Sequence, residues 1–321
     1  MLLISSAEIP GLLPVAEAMT VMRRAFISIS RKSASLAHRQ ALKLPSGTGL
    51  LMGAAQEQLG IGAKLVSIMP GNREQGLPGS VGLVLLMDDV TGEPLAMLDG
   101  TSLTSCRTAA LNACAMDLLA REDARTALLV GCGTQAEAQL EAMDTVRELE
   151  EIRVLGREAN RVNEFIARNL GRVSCSLQAF TDPATALRDV DLIISATDSV
   201  NPVIPGKLVP PGCHVSGIGS FRPDMREFDE ALLRRAEIFV ESRETAVAEA
   251  GELIAAREKG ISPAKRWAEV GEVLSGIMPG RQSPEQVTFF KSVGHAVFDL
   301  YVARAIYEAA GDRGAGQGWR P

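Results

Sequence analysis

A glycine-rich turn offers the clearest chemistry in the sequence. The stretch VGCGTQA spaces Gly131, Gly133 and Ala136 as G-x-G-x-x-A, after a short apolar run and before a segment of helical composition. The first glycine of such a pattern permits a tight turn, the second lets the backbone approach a pyrophosphate, and the small third residue lets helix and strand pack closely. The pattern alone also fits an ordinary turn, but the strand before it and the helix after it favour a dinucleotide site, with phosphates at the helix start. The loop residues predicted to contact the dinucleotide are Gly131, Cys132, Gly133, Thr134 and Gln135.

The residues after the second strand of this region bear on the choice between NAD and NADP. An acidic residue there binds the ribose 2'-hydroxyl of NAD, whereas an arginine accommodates the 2'-phosphate of NADP. The sequence reads GREANR, with Arg157 directly after Gly156 and Arg161 one helical turn later. We therefore expect NADP(H) to be favoured over NAD(H), although Glu158 beside Arg157 keeps NAD(H) open.

A second candidate site lies in the stretch LDGTSLTSCRTAA, which places Arg107 and Thr108 near the start of a predicted helix. A guanidinium and hydroxyls at a helix start suit an anionic group, either a substrate carboxylate or a cofactor phosphate. The alternative interpretation is a helix cap beside a solvated arginine, and the residues themselves leave both open.

The elements around these motifs fall into two patterns. From about residue 125 to 242, short strand-like runs alternate with helix-like segments, which predicts a doubly wound parallel sheet and hence an α/β fold. The first 120 residues instead show successive extended runs with turns between them, including the hairpin signal DDVTGEP. We expect an antiparallel β-rich region there, preceded by a helix around residues 13–28 and followed by a helical segment over 104–121.

Composition limits the classes of function. Of the 321 residues 46% are hydrophobic and 22% charged, and the net charge of −6, without a basic patch, argues against nucleic-acid binding. The five cysteines have no C-x-x-C or zinc-ligand spacing and the three histidines are far apart, so no metal site is predicted. The N-terminus lacks the features of a signal peptide and the apolar runs are too short to cross a bilayer. We expect a cytoplasmic protein that does not bind membranes.

Together these motifs resemble the ornithine cyclodeaminase/mu-crystallin family over nearly the whole chain. The resemblance implies a Rossmann domain joined to a smaller β-rich domain for substrate binding and homodimer formation, with the site in the cleft. The implied bounds are 1–120, completed by a C-terminal helix over 288–311, for the β-rich domain, 121–287 for the Rossmann domain, and 312–321 for a flexible tail. The motifs that carry the resemblance are the strand 39–45, GAKLV, TGEPLAMLDG, RTAA, VGCGTQA, SAT, HVSGIGSFRPDMREFD and FKSVGHAVFD.

The resemblance also implies roles for individual residues. Arg39, Lys64 and Arg107 match positions around the substrate carboxylate and the nicotinamide, and we assign them the catalytic site, with Lys64 as the candidate proton relay. Met52 is assigned to the substrate pocket. The remaining positions predicted to bind the cofactor are Arg107, Thr108, Gly156, Arg157, Arg161, Ala196, Thr197, Gly217, Ile218, Gly219, Ser220, Lys291 and Ser292.

One departure from the family pattern narrows the reaction. Cyclodeaminases carry a catalytic aspartate just after the fifth strand, and alignment on the glycine and proline of GIGSFRP places Phe221 there. Cyclodeamination of ornithine or lysine is therefore disfavoured. We expect Asp224, which follows the proline, to cap a helix that begins nearby, in preference to making other polar contacts.

The leading hypothesis is an NAD(P)H-dependent reductase of cyclic α-imino acids, which converts Δ1-pyrroline-2-carboxylate or Δ1-piperideine-2-carboxylate into proline or pipecolate. The stretch around Asn72, with GLPGSVGL, is closer to alanine dehydrogenase-like and ectoine-utilisation-like members, and a small amino-acid dehydrogenase is the first alternative. A non-catalytic, NADP-dependent small-molecule binding protein of the mu-crystallin type is the second.

Overall fold

The computed structural model describes residues 1–320, apart from the side chains of His38 and Arg73. The chain divides into two compact units: the first unit contains Met1–Arg107 and the segment from His295 onward, and the second unit contains Thr108–Gly294. Helix α3 (Gly100–Leu119) carries the chain from the first unit into the second. The elements of the first unit are β1 (Leu2–Ile4), α1 (Ile9–Leu12), α2 (Val15–Ser30), β2 (Ser35–Leu44), β3 (Gly47–Gln56), β4 (Gly60–Ile68), a 3₁₀ turn (Pro70–Gln75), β5 (Ser80–Met87), β6 (Pro94–Asp99), α11 (Ala296–Arg313) and β15 (Gln317–Gly318).

The first unit is a seven-stranded sheet in the order β15-β1-β6-β5-β4-β3-β2, antiparallel except for the pairing of β1 with β6. One face of the sheet is covered by α11, and α2 packs on this helix through the edge-to-face pair of Phe26 and Phe298. Gly62 lets α11 come close to β4, because a Cβ there would lie 3.2 Å from Leu300 Cδ1. Side chains alternate along β4, so that Lys64 is buried beneath α11 while Leu65 is exposed on the other face.

The second unit is an eight-stranded sheet in which every neighbouring pair is parallel, in the order β13-β12-β14-β11-β10-β7-β8-β9. The chain runs outward through β8 and β9, then returns to the other side of β7 to form β10 and β11, so the order reverses between β7 and β10. Ligands of such sheets bind outside the carboxyl ends of the strands at this reversal. The elements of the second unit are β7 (Thr126–Val130), α4 (Thr134–Val146), β8 (Glu151–Leu155), α5 (Ala159–Asn169), β9 (Ser176–Phe180), α6 (Pro183–Ala186), β10 (Leu192–Ser195), a 3₁₀ turn (Gly206–Leu208), β11 (His214–Gly217), α7 (Glu230–Leu233), β12 (Ala236–Val240), α8 (Arg243–Glu249), α9 (Gly251–Glu258), a 3₁₀ turn (Ala264–Arg266), β13 (Ala268–Glu269), α10 (Val270–Leu274) and β14 (Val287–Lys291).

These units confirm the predicted α/β fold with a doubly wound sheet and a β-rich part. Their bounds lie elsewhere than the predicted ones in two places. The division falls inside α3 at Arg107 instead of after residue 120, and β14 belongs to the parallel sheet, so the C-terminal part of the first unit begins at His295 and not at residue 288. Within the segment predicted to be a flexible tail, Gln317–Gly318 pair as an edge strand with β1.

In the described part of the chain, no helix combines the length and apolar character needed to cross a bilayer.

Candidate active site

The glycine-rich turn joins β7 to α4 as the sequence predicts. Gly131 has φ of +111°, and a Cβ there would lie 2.8 Å from the carbonyl oxygen of Ala196, so both conformation and space require glycine. Gly133 is the N-cap of α4 and provides no side-chain cap. Among the described residues, no atom lies within 4 Å of a Cβ built on Gly133. The first N–H groups of this helix of 13 residues are therefore left without a side-chain partner from the cap, as the binding of a pyrophosphate requires.

The arginines predicted to select NADP lie at the start of α5. Arg157 is exposed directly after Gly156, and the exposed Arg161 side chain lies 3.9 Å from the carboxylate of Glu158. Burial raises the pKa of the Cys132 thiol, and the charge of Arg161 opposes this effect, which places Arg161 within electrostatic range of the glycine-rich turn. Positive charge is therefore available where an adenosine ribose would follow the pyrophosphate.

The other predicted cofactor positions follow neighbouring parallel strands. Ala196 and Thr197 come directly after β10, and the stretch from Gly217 to Ser220 comes at the end of β11. Because β10 pairs in parallel with β7, and β11 pairs in parallel with β10, these residues share the sheet edge that carries the glycine-rich turn.

Three predicted cofactor-binding side chains are turned into the interior of the second unit. The Lys291 ammonium donates to Ser220 Oγ at 2.6 Å and lies 3.2 Å from Glu252 Oε1, with the side chains of Lys291 and Glu252 fully buried. Ser292 Oγ donates to Glu241 Oε2 at 2.6 Å. These side chains therefore stabilise the ends of β11 and β14 from the interior of the second unit. Only the backbone of these residues remains available to contact the cofactor.

A buried group of charges forms the candidate substrate site in the first unit. The Lys64 ammonium, on β4, donates to Thr104 Oγ1 at 2.6 Å and to Asp299 Oδ1 at 3.1 Å. The Arg107 guanidinium, on α3, donates through Nε to the same Asp299 oxygen at 3.2 Å. Lys64 is 5% exposed and Arg107 is 7% exposed. Asp299, in the first turn of α11, thus anchors two of the three predicted cations; we call Lys64, Arg107, Asp299 and Arg39 the cation cluster.

Electrostatics in the cation cluster set the protonation states. Burial lowers the pKa of Lys64 to about 8, the charges of Arg107 and Arg39 act in the same direction, and Asp299 opposes them. Burial alone would raise the pKa of Asp299, but Lys64 and Arg107 hold it below its usual range. Burial lowers the pKa of the neighbouring His295 to about 4, so this imidazole is neutral at physiological pH. At neutral pH Lys64 is therefore protonated and Asp299 is ionised.

Arg39 and Met52 lie in neighbouring strands beside Lys64. The pairing of β2 with β3 shifts register between Ala37 and Gln40, and Arg39 lies inside this irregularity. The effect of its charge on the pKa of Lys64 places Arg39 with the other cations. Met52 is the direct partner of Lys64 in the pairing of β3 with β4. The structure therefore brings together all four residues predicted to bind the substrate.

Sequence reasoning missed Asp299, although it ends the motif FKSVGHAVFD. In the sequence it is only an acidic residue in the first turn of a helix, a common position on solvent-facing helices. Its importance comes from burial and from partners distant in the chain, Lys64 and Arg107. Among the described residues, Asp299 Oδ2 is buried and has no hydrogen-bond partner, so it retains a free acceptor.

The residues after β11 correct one prediction. Phe221 packs against the core of the second unit, and the Arg222 guanidinium lies over its ring, so no carboxylate occupies this position. Asp224 caps no helix: it is exposed and pairs with Arg222 at 2.9 Å. The cap of the next helix, α7, is Asp229, which accepts from Leu232 N. The prediction for Asp224 was wrong because the chain makes turns between residues 221 and 229 instead of starting a helix.

Comparisons with known proteins identify the family of the chain. The model of the ornithine cyclodeaminase/mu-crystallin family matches residues 2–314. A Δ1-pyrroline-2-carboxylate reductase of Bacillus cereus is 35% identical over 99% of this chain and 99% of its own. The structure of the Thermococcus litoralis Δ1-pyrroline-2-carboxylate reductase with NADH and L-proline superposes with a TM-score of 0.94, at 30% identity, over 99% of this chain and 100% of that one. An archaeal alanine dehydrogenase dimer with bound NAD gives a TM-score of 0.91 at 31% identity, over 99% and 98%. The chain belongs to the ornithine cyclodeaminase/mu-crystallin family.

Proposed function

We propose that the protein is an NAD(P)H-dependent reductase of cyclic α-imino acids, which converts Δ1-pyrroline-2-carboxylate or Δ1-piperideine-2-carboxylate into proline or pipecolate. The observation that carries this proposal is the cation cluster, in which the buried Lys64 and Arg107 share one carboxylate oxygen of Asp299. Lys64 and Arg107 share Asp299, and Arg39 adds a third positive charge. Lys64 and Arg107 therefore place an ammonium and a guanidinium side by side in a buried site, and a substrate carboxylate suits this pair of cations.

The chain's own groups then account for orientation and for the proton. Arg39, Lys64 and Arg107 hold the carboxylate, and Asp299 Oδ2, which has no hydrogen-bond partner among the described residues, accepts the N–H that forms when the imine nitrogen is protonated. Lys64, with its pKa lowered to about 8, keeps its proton at neutral pH but releases it more readily than an ordinary lysine. The nicotinamide, when bound, supplies the hydride to the C=N carbon.

The test is oxidation of NADH and NADPH in the presence of each cyclic imino acid. We expect turnover with at least one of the two imino acids, and proline or pipecolate as the product. Absence of turnover with both imino acids and both cofactors would remove the proposal.

We further propose that NADPH is used in preference to NADH, because of Arg157 and Arg161. The relatives with solved structures hold NADH or NAD, so the preference is a property to be measured on this chain. The substitution Arg157→Asp should lower kcat/KM for NADPH much more than for NADH. An equal loss for both cofactors would show that Arg157 does not contact a 2'-phosphate.

The likeness to the archaeal alanine dehydrogenase supports a second candidate, the reductive amination of a small 2-oxo acid. It uses the same carboxylate contacts but consumes ammonia. Comparison of pyruvate plus ammonia with the cyclic imino acids, at equal enzyme concentration, separates the two. Cyclodeamination remains disfavoured, because Phe221 occupies the position of the required carboxylate.

The exposed face of the first unit's sheet supports a homodimer. Leu51, Leu65 and Leu83 form a row across β3, β4 and β5, and they are 38%, 49% and 49% exposed. A contiguous apolar face of this kind is typical of a protein interface. The solved alanine dehydrogenase relative is a dimer. We propose that a second copy of this chain covers the row.

A further inference from the structure

One buried carboxylate joins the two loops that follow β10 and β11. Glu227 is 0% exposed. Its Oε1 accepts from Ser195 Oγ at 2.6 Å, from Thr197 N at 2.8 Å and from Thr197 Oγ1 at 3.0 Å. Its Oε2 accepts from Gly219 N at 2.8 Å and from Ser220 N at 3.0 Å. Oε1 thus accepts a backbone N–H from the loop after β10, and Oε2 accepts backbone N–H groups from the loop after β11.

The two loops also touch directly. A Cβ on Gly219 would lie 2.1 Å from the Thr197 carbonyl oxygen and 2.7 Å from Glu227 Oε1. Only glycine lets the two backbones approach this closely, and Glu227 fastens them where they meet. The contact makes the two loops one surface at the carboxyl end of the sheet.

A second buried carboxylate, Glu252, and the buried Lys291 contact the side chain of Ser220 beneath this surface. Ser220 Oγ accepts from Lys291 Nζ and donates to Glu252, which itself lies 3.2 Å from Lys291. Burial raises the pKa of Glu227, the Lys291 ammonium opposes this effect, and the charge of Glu252 adds to it. Five groups are placed to donate to the two oxygens of Glu227, and three of them are backbone N–H groups, an arrangement that suits a carboxylate.

Sheet order indicates which part of the dinucleotide meets this surface. The start of α5 after β8, with Arg157, suits the adenosine ribose, and the turn after β7 suits the pyrophosphate. The loops after β10 and β11 lie on the other side of β7, so they meet the other end of the molecule, the nicotinamide.

We propose that Glu227 is a positioning residue that holds the Thr197 and Gly219 backbones as a platform for the nicotinamide end of the cofactor. The proposal rests on the dinucleotide site inferred above. It assigns Glu227 a part in binding one end of the cofactor and not the other, which a purely structural role does not predict.

The test compares NADH with ADP-ribose, which lacks the nicotinamide. In Glu227→Gln the amide keeps the size of the side chain. Its NH₂ group only donates, so it cannot accept the N–H groups of the loop that it faces. We expect the Kd for NADH, measured by fluorescence titration without imino acid, to rise about tenfold, since an unsatisfied buried donor costs about that much. The Kd for ADP-ribose, measured by calorimetry, should change less than about twofold by the same argument.

The matched control is Asp191→Asn, at the opposite end of β10. Asp191 also joins backbone segments, accepting from Arg125 N and Thr126 N, but at the amino end of the strands. It should lower the melting temperature without changing either Kd. If Glu227→Gln does not fold, Ser195→Ala removes a single donor to Glu227 and should weaken NADH selectively, by a smaller factor.

The possible results separate the role of Glu227 from the presence of the dinucleotide site. Equal weakening of NADH and ADP-ribose in Glu227→Gln and in Ser195→Ala, or unchanged binding of both, overturns the platform. Wild-type protein that binds neither ligand overturns the proposed dinucleotide site itself, which is a distinct result.

Discussion

At the scale of single residues, the proposed reaction depends on Asp299 and on its effect on the pKa of Lys64. The sequence pointed to Arg39, Lys64 and Arg107 through a resemblance, since a cation on its own is most often a solvated surface charge. Only the fold shows that Lys64 and Arg107 share one buried oxygen of Asp299. Burial and a partner 235 residues away in the chain have no signature in local sequence, so this part could not be predicted.

The first prediction concerns pH. The pKa of Lys64 is lowered from 10.5 to about 8, so its ammonium is fully present below that pH and is lost as pH rises through it. If the ammonium is the proton donor, kcat/KM for imino-acid reduction should be flat below pH 8 and fall about tenfold per unit above it. In Lys64→Arg, residual activity should lack this limb, because guanidinium does not titrate there. A limb of unchanged position in Lys64→Arg would assign the titration to another group.

The second prediction concerns Asp299→Asn. Loss of the carboxylate leaves Lys64 and Arg107 buried without their anion, which should cost about 3–5 kcal/mol of unfolding free energy. Because Asp299 raises the pKa of Lys64, its removal should also move the alkaline limb to lower pH. The control Glu308→Gln breaks only an exposed pair with Arg304 on the same helix and should leave stability and pH profile unchanged. An unmoved alkaline limb in Asp299→Asn is incompatible with the account.

At the scale of elements, local patterns predicted most of the architecture. Alternation of strands and helices gave the parallel sheet, and DDVTGEP gave the hairpin of β5 and β6, with Gly92 at φ +72°. Pairings between distant segments escaped prediction. The strand β15 exists only because β1, at the other end of the chain, offers a free edge to Gln317–Gly318. Asp224 and Asp229 are both residues of a type that commonly caps a helix. The conformation of the backbone between them places Asp229, and not Asp224, at the start of α7.

The two glycines of the turn provide the third prediction. Gly131→Ala puts a side chain at φ +111° and against the Ala196 carbonyl, so it should lower unfolding free energy by about 1–3 kcal/mol. Gly133→Ala meets no described atom, so it should leave thermal stability nearly unchanged but weaken NADH and ADP-ribose together by filling the space of the pyrophosphate. Thermal melts and titrations of both variants check this. Equal stabilities, or undiminished binding in Gly133→Ala, would contradict the assigned roles.

At the scale of the whole molecule, the row of leucines on the first unit's sheet is exposed to solvent in a single chain. The sequence showed apolar runs there but could not show which face would be covered, because both faces of β4 and β5 carry apolar residues. In the structure α11 covers one face of the sheet, and the face that carries the leucines is exposed.

The fourth prediction is that this face forms a dimer. Wild-type protein should have a mass near twice 34.1 kDa by light scattering, and Leu65→Glu should shift it toward the monomer, because a buried charge opposes association. Val90→Glu is the control, since Val90 is 87% exposed at the turn after β5. A wild-type monomer, or a Leu65→Glu dimer of unchanged affinity, would show that the face is not the interface.

The most direct test of the central claim compares two ring imines in the NAD(P)H oxidation assay, Δ1-pyrroline-2-carboxylate and Δ1-pyrroline, which lacks the carboxylate. If the cation cluster binds the carboxylate of an imino acid, kcat/KM should be at least about 100-fold higher for the carboxylated ring, because loss of a buried charged partner costs about 3 kcal/mol or more. Comparable kcat/KM values for the two rings, or no reduction of the carboxylated one, would contradict the account.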